Sequence, residues 1–150
     1  MSSVNIGRVN TGNQITSDYD LSKIFLFNNR YEADNYVNNY TYGSLNLLAG
    51  TVMGRIASTG SLVPCDASAV DGSQFPIGIL AHDLLNLQSG EVRAGVTICI
   101  SGDIAAEKLI FITGNTLDTV VNGRRFRDRI QSDSVGLLLR TVTDMTDFDN

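Results

Sequence analysis

The chain has 150 residues, of which 43% are hydrophobic, a formal net charge of −5 at pH 7 and a pI near 4.6. One domain is the expectation at this length, and such a chain can bury about 70% of its unfolded surface. The acidic balance argues against DNA or RNA as a partner, because affinity for phosphate backbones needs clustered Lys and Arg. No apolar run approaches the ~18 residues of a membrane span, and the opening MSSVNI has neither the basic nor the apolar part of a secretory signal. A soluble protein is expected, with neither nucleic acid nor membrane as partner.

Residues 1–20 are polar, contain Gly7 and Gly12, and follow neither period 2 nor period 3.6. They read as an extended N-terminal arm, with residues 21–150 forming a single β-rich domain. One reading of the arm is a frayed terminus. The other is a segment that orders against a partner by main-chain hydrogen bonds, with Val4, Ile6, Val9, Ile15 and Tyr19 meeting shallow pockets.

Ile24–Phe27 is a compact apolar run, followed by a stretch rich in Tyr and Asn that holds Tyr31, Tyr36, Tyr40 and Tyr42. Here Ala33, Asn35 and Val37 alternate with Asp34, Tyr36 and Asn38, the pattern of a half-exposed strand. Amphipathic, stiff tyrosines suit an interface, and equally suit a cap on the open end of a barrel.

From Leu48 to Leu80 three short apolar runs, TVMGRI, SLVPC and PIGIL, stand between turn signals. Their length marks them as strands of a meander. Gly54 and Gly78 fall inside these runs, which points to a bulge or to close approach of another backbone. The composition is that of a small, tightly curved β-barrel or sandwich.

Further on, VRAGVTICISGD carries the longest strand signal, with Val92, Val96, Ile98 and Ile100 on one face and Thr97 and Cys99 on the other. A strand apolar on both faces is packed on both. Beyond it, Asn115 or Thr116 caps an expected helical turn holding Leu117, Val120 and Val121, interrupted at Gly123. A helix with Phe126 and Ile130 inward follows. Its Arg124, Arg125, Arg127 and Arg129 lie on a solvated face or form salt bridges with acidic groups, among them Asp144, Asp147 and Asp149 of the chain's own tail. Residues 134–143 close the domain as a strand.

No catalytic constellation emerges. The sole histidine, His82, directly precedes Asp83, so the two side chains diverge on a strand. There is no G-x-S-x-G elbow, H-E-x-x-H, P-loop or G-x-G-x-x-G. Cys65 and Cys99 match no metal spacing. Cys99 reads as a small buried hydrophobe, and a Cys65–Cys99 disulfide is disfavoured in a reducing compartment. No metal, cofactor or catalytic residue is expected, and Lys108 is not at the hairpin tip of a carrier domain.

In the central stretch, the order G-T-V-x-G-R-I, a Thr-Gly turn, L-V-P, an Asp-Gly pair and P-I-G-I-L resembles the head decoration (capsid cement) proteins of tailed bacteriophages. The matching positions are Gly50, Thr51, Val52, Gly54, Leu62, Val63, Asp71, Gly72, Gly78, Ile79 and Leu80, and a weaker likeness continues from Val96 to Phe111. The resemblance implies a mainly β fold with one short helix and an extended arm. It further implies a non-enzymatic, homotrimeric virion protein, made in the host cytoplasm, that binds the major capsid protein on the outside of the expanded head. A second reading is a virion-surface adhesin that engages a host glycan or cell-surface protein through the Tyr/Asn stretch. A third is a monomeric barrel for a small molecule.

Overall fold

The computed structural model describes residues 24–38, 45–112, 114–131 and 137–140. Ten strands and one short helix fill these segments. They are β1 (Phe25–Val37), β2 (Leu45–Leu47), β3 (Val52–Arg55), β4 (Leu62–Pro64), β5 (Gly78–Leu80), β6 (Leu84–Leu87), β7 (Val92–Ala105), β8 (Val120–Val121), β9 (Arg124–Arg125), α1 (Phe126–Gln131) and β10 (Leu137–Arg140). The fold is mainly β, as expected.

The principal sheet runs β1-β4-β3-β5-β7-β10, and β1 also pairs with β7, so five strands form a ring with β10 outside it. Two long strands carry this closure. β1 lies antiparallel along β7 from Phe25 opposite Ile104 to Val37 opposite Val92, and its far end meets β4 at Tyr36 opposite Leu62. The three central strands are not a meander. β4 and β5 both pair antiparallel with β3, on opposite edges, so the loop after β4 carries the chain across to the other side.

Alternation along the strands separates two cores. Val52, Ile79 and Cys99 join one cluster, and their neighbours Met53, Leu80 and Ile98 join the other. The first is covered by Val121, Phe126 and Ile130 from the β8–β9 hairpin and α1. The second is covered by Leu47, Leu84 and Leu87 from the antiparallel pair β2–β6. Phe126 stacks on Phe111 with ring centres 5.5 Å apart.

Two sequence expectations are corrected here. First, Leu117, Val120 and Val121 are not helical. Asn122 and Gly123 both have positive φ, 49° and 82°, which makes a two-residue hairpin turn between β8 and β9. Asn-Gly favours that turn over a helix interruption. The helix itself forms at Phe126–Gln131, with Phe126 and Ile130 buried as expected. Second, Val92 does not share the face of Val96 and Ile98; it is 61% exposed. Between Asp34–Val96 and Tyr36–Arg93 the register slips by one residue on β7, at Gly95 with φ 69°. Such a bulge reverses the parity of what precedes it. The strand expected over residues 134–143 is present over Leu137–Arg140, parallel to β7, and the rest of that range lies outside the described residues.

Gly54 and Gly78 mark close approach of other backbone. A Cβ on Gly78 would stand 2.8 Å from the Cys99 carbonyl oxygen, and one on Gly54 would run into the Ser73 backbone, whereas one on Gly123 would meet nothing within 4 Å. Gly123→Ala is therefore expected to lose only the left-handed backbone preference, about 1–2 kcal/mol. Gly54 lacks a positive φ, so Gly54→Ala carries no such cost, but it must displace the Ser73 backbone and is expected to lose more, since overpacking typically costs about 1–3 kcal/mol and occasionally more. Urea unfolding of the two variants checks the order.

Candidate functional site

The positions that carry the sequence resemblance form a packing device. Gly50 has φ 101° and lies against Lys108, where a Cβ would be 2.7 Å from the carbonyl oxygen. Thr51 is buried and its Oγ1 donates to the Leu48 carbonyl at 2.7 Å. The loop after β4 is held at its base by Asp71. Its Oδ1 accepts from the Ser73 amide at 3.0 Å and from the Ser73 hydroxyl at 2.6 Å, while its carbonyl accepts from the Ala57 amide at 2.8 Å. The hydrogen bonds from Ser73 hold the Asp71 carboxyl below its ordinary range. Gly72, with φ 105°, would set a Cβ 3.0 Å from Ala57. These residues lock the β3–β4 turn to the β4–β5 loop.

The two described tyrosines of the candidate set, Tyr31 and Tyr36, differ in exposure. Tyr36, read from sequence as an interface candidate, is fully buried in the second core, and its hydroxyl lies 3.3 Å from Asn38 Oδ1. Strand β1 turns this ring inward because Tyr36 sits where the ring closes onto β4. Tyr31 is 49% exposed, edge-on to Phe25 at 5.8 Å, and desolvation raises its phenol above the usual range. Tyr40 and Tyr42 lie outside the described residues, as do Val4, Ile6, Val9, Ile15 and Tyr19.

Asn38, which the sequence marks only as part of the strand alternation, also bridges two elements. Its Nδ2 donates to the Gln88 carbonyl at 2.6 Å and its amide donates to the Glu91 carbonyl at 2.8 Å, tying β1 to the β6–β7 turn. A buried amide with several backbone partners has no short-range signature.

Arg55 spans two elements. It pairs with Asp34 on β1 and donates to the Gly60 carbonyl at 2.7 Å, and the bond from Arg55 is the main cause that lowers the Asp34 carboxyl. The arginines of the C-terminal third are engaged within the domain. Arg125 lies 3.6 Å from Asp118 and 3.3 Å from Asp128, and Arg127 lies 3.5 Å from Asp118. Arg129 donates to the Val121 carbonyl and covers the Phe75 ring at 5.0 Å. Asp144, Asp147 and Asp149 lie outside the described residues.

The groups from which catalysis would be built are set for other tasks. His82 accepts the Thr97 amide on Nε2 at 3.2 Å, and the Asp83 carboxylate accepts the Ala49 amide at 2.8 Å. Cys65 and Cys99 are free and buried. Burial pushes the Cys65 thiol up to about 12 and raises Cys99 as well, so neither is a ready thiolate at neutral pH. Among the described residues no group of three or more His, Cys, Asp or Glu is placed to hold a metal, and no helix is long and apolar enough to cross a membrane.

A family model for Bacteriophage lambda head decoration protein D matches residues 31–123, more than half of the chain. The chain belongs to the phage lambda head decoration protein D family. The match runs from the middle of β1 to the β8–β9 turn and takes in every resemblance position. No curated protein matches the chain. Membership in this structural family carries a capsid decoration role and a place on the virion.

Two measurements check the site. Both thiols are expected to resist a neutral-pH disulfide reagent in the native protein and to react on unfolding. Asp34 and Asp71 have lowered folded-state pKa values. Their contribution to stability is therefore present above the ordinary carboxylate range near pH 4 and is lost as pH falls through the folded-state values. Asp71→Asn should flatten the loss of stability between about pH 5 and pH 3, measured by urea midpoints.

Proposed function

We propose that this head decoration protein cements the expanded phage head from outside. It assembles as a homotrimer, and each trimer straddles a junction between neighbouring major capsid subunits. Pulling those subunits apart then also breaks cement contacts. Residues 1–20 serve as an arm that grips the shell by main-chain hydrogen bonds, with Val4, Ile6, Val9, Ile15 and Tyr19 filling shallow pockets.

The family match over residues 31–123 carries this reading. The body is also suited to a mechanical task. Its strands β3 and β5 and the middle of β7 are packed on both faces, and its thiols and histidine are occupied in packing and backbone hydrogen bonds. Close to where the arm joins, Ala105 donates to the Ile24 carbonyl at 2.8 Å and Phe25 pairs with Ile104, so a pull on the arm is delivered to β7. Three arms on one body convert weak contacts into avidity, with gains of ~10²–10⁴ when all engage together. Only a lattice that sets three docking sites at matching distances receives that gain, which explains a preference for the expanded shell.

Deleting residues 1–20 is expected to leave a folded trimer by light scattering, with occupancy on undecorated expanded shells reduced at least tenfold, as loss of avidity implies. Unchanged occupancy overturns the arm, and a monomer overturns the trimer.

A further inference from the structure

One corner of the sheet shows two exposed apolar side chains, on β1 and β10, in register across the β7 strand between them. Phe27 on β1 stands opposite Asp103 on β7, and Asp103 stands opposite Leu138 on β10. Directly paired residues share a face. Phe27 is 50% exposed and Leu138 45% exposed. Arg140, two residues along from Leu138, reaches Asp103 at 3.4 Å, which places all four on one side. Arg30 opposes Ser101, two residues along from Asp103, and is exposed on that same side. The corner thus combines two apolar surfaces with two guanidinium groups, against the single carboxylate of Asp103.

The chain continues past Arg140 as TVTDMTDFDN. This segment places Met145 and Phe148 among Asp144, Asp147 and Asp149, the complement of the corner in both apolarity and charge. It starts at the corner itself, because Arg140 is the last residue of β10. Reach is sufficient. Leu138 and Phe27 are two strand spacings apart, about 10 Å. Phe148 lies eight residues past Arg140 (148 − 140), and eight extended residues span about 26–29 Å, enough for one reversal. The arginines around α1 have partners inside the domain, at Asp118, Asp128 and the Val121 carbonyl. Arg140 also has a partner, Asp103, but it ends β10 where the tail begins, and Arg30 lies on β1 across β7 from it. A tethered segment acts at an effective concentration of about millimolar, so modest contacts are enough.

We propose that the C-terminal segment 141–150 folds back over this corner, seating Met145 and Phe148 on Phe27 and Leu138, with its aspartates toward Arg30 and Arg140. The chain has no tryptophan, so Phe27→Trp in the full-length protein is a single reporter of cover at the corner. Adding M145A and F148A should shift its emission to the red and increase quenching by iodide. Replacing Asp144, Asp147 and Asp149 by Asn should do so partially and remove the salt dependence. Leu138→Trp is the second reporter, for the case in which Phe27→Trp perturbs β1, with circular dichroism confirming the fold of each variant. Identical emission with and without Met145 and Phe148 overturns the proposal. So does protection that rises with protein concentration, which marks a second copy, or protection lost on deleting residues 1–20 instead, which marks the arm.

Discussion

Ile98 and Cys99 are neighbours on β7, both fully removed from solvent, and they face opposite cores. A strand in that position cannot belong to a one-sided sheet. It needs cover on both faces, and in a chain of this size no single element is large enough to supply both. The cover is divided instead. The pair β2–β6 lies over one face, and the β8–β9 hairpin with α1 lies over the other. Each is too short to persist alone, since two-stranded pairs and single helical turns are marginal in water. Their order comes from the sheet, and the sheet is kept dry by them. Loss of either should therefore be cooperative with loss of the whole.

The same demand accounts for the glycines and short polar side chains of the resemblance positions. Where backbone must lie against backbone, as at Gly78 beside Cys99 and Gly54 beside Ser73, a Cβ has no room. Where a loop must lie close to a strand, Asp71 and Ser73 supply hydrogen bonds that water would otherwise make. The resemblance positions within the family match are thus packing residues. The match runs from the middle of β1 to the β8–β9 turn.

Legibility in the sequence followed the range of the interaction concerned. The alternation V-T-I-C-I disclosed two-sided packing because period 2 is local. The Phe126–Ile130 stripe disclosed α1 for the same reason, at helical spacing. The Asn122-Gly123 turn was local too, and its signal was outweighed by Leu117, Val120 and Val121 at helical spacing. By contrast, the parity change at Gly95 arises only when β7 is laid against β1, and β5 crosses to the far edge of β3 only because β7 must pair there. The burial of Tyr36 belongs with these. Alternation marked the strand, but which side faced inward depended on β4.

A decoration protein must resist shear while holding a lattice it does not share. The body described here suits that requirement through topology more than through strong individual contacts. Exposed ion pairs such as Arg125–Asp118 are each worth only about 0–1 kcal/mol, so they set register without adding much strength. In the cementing role proposed above, load arriving at Ile24 would pass instead into the long β1–β7 ladder, one of the pairings that close the ring. In an antiparallel ladder pulled along the strands, many inter-strand hydrogen bonds share the force, whereas pulling from one end across it breaks them singly. An arm joined at the head of this ladder and pulling along β1, as the proposed cementing requires, would load it in the first geometry. Phe25 and Ile104 sit paired at that point with Ile104 buried in the first core, so the pull is met by packed apolar surface as well as by hydrogen bonds.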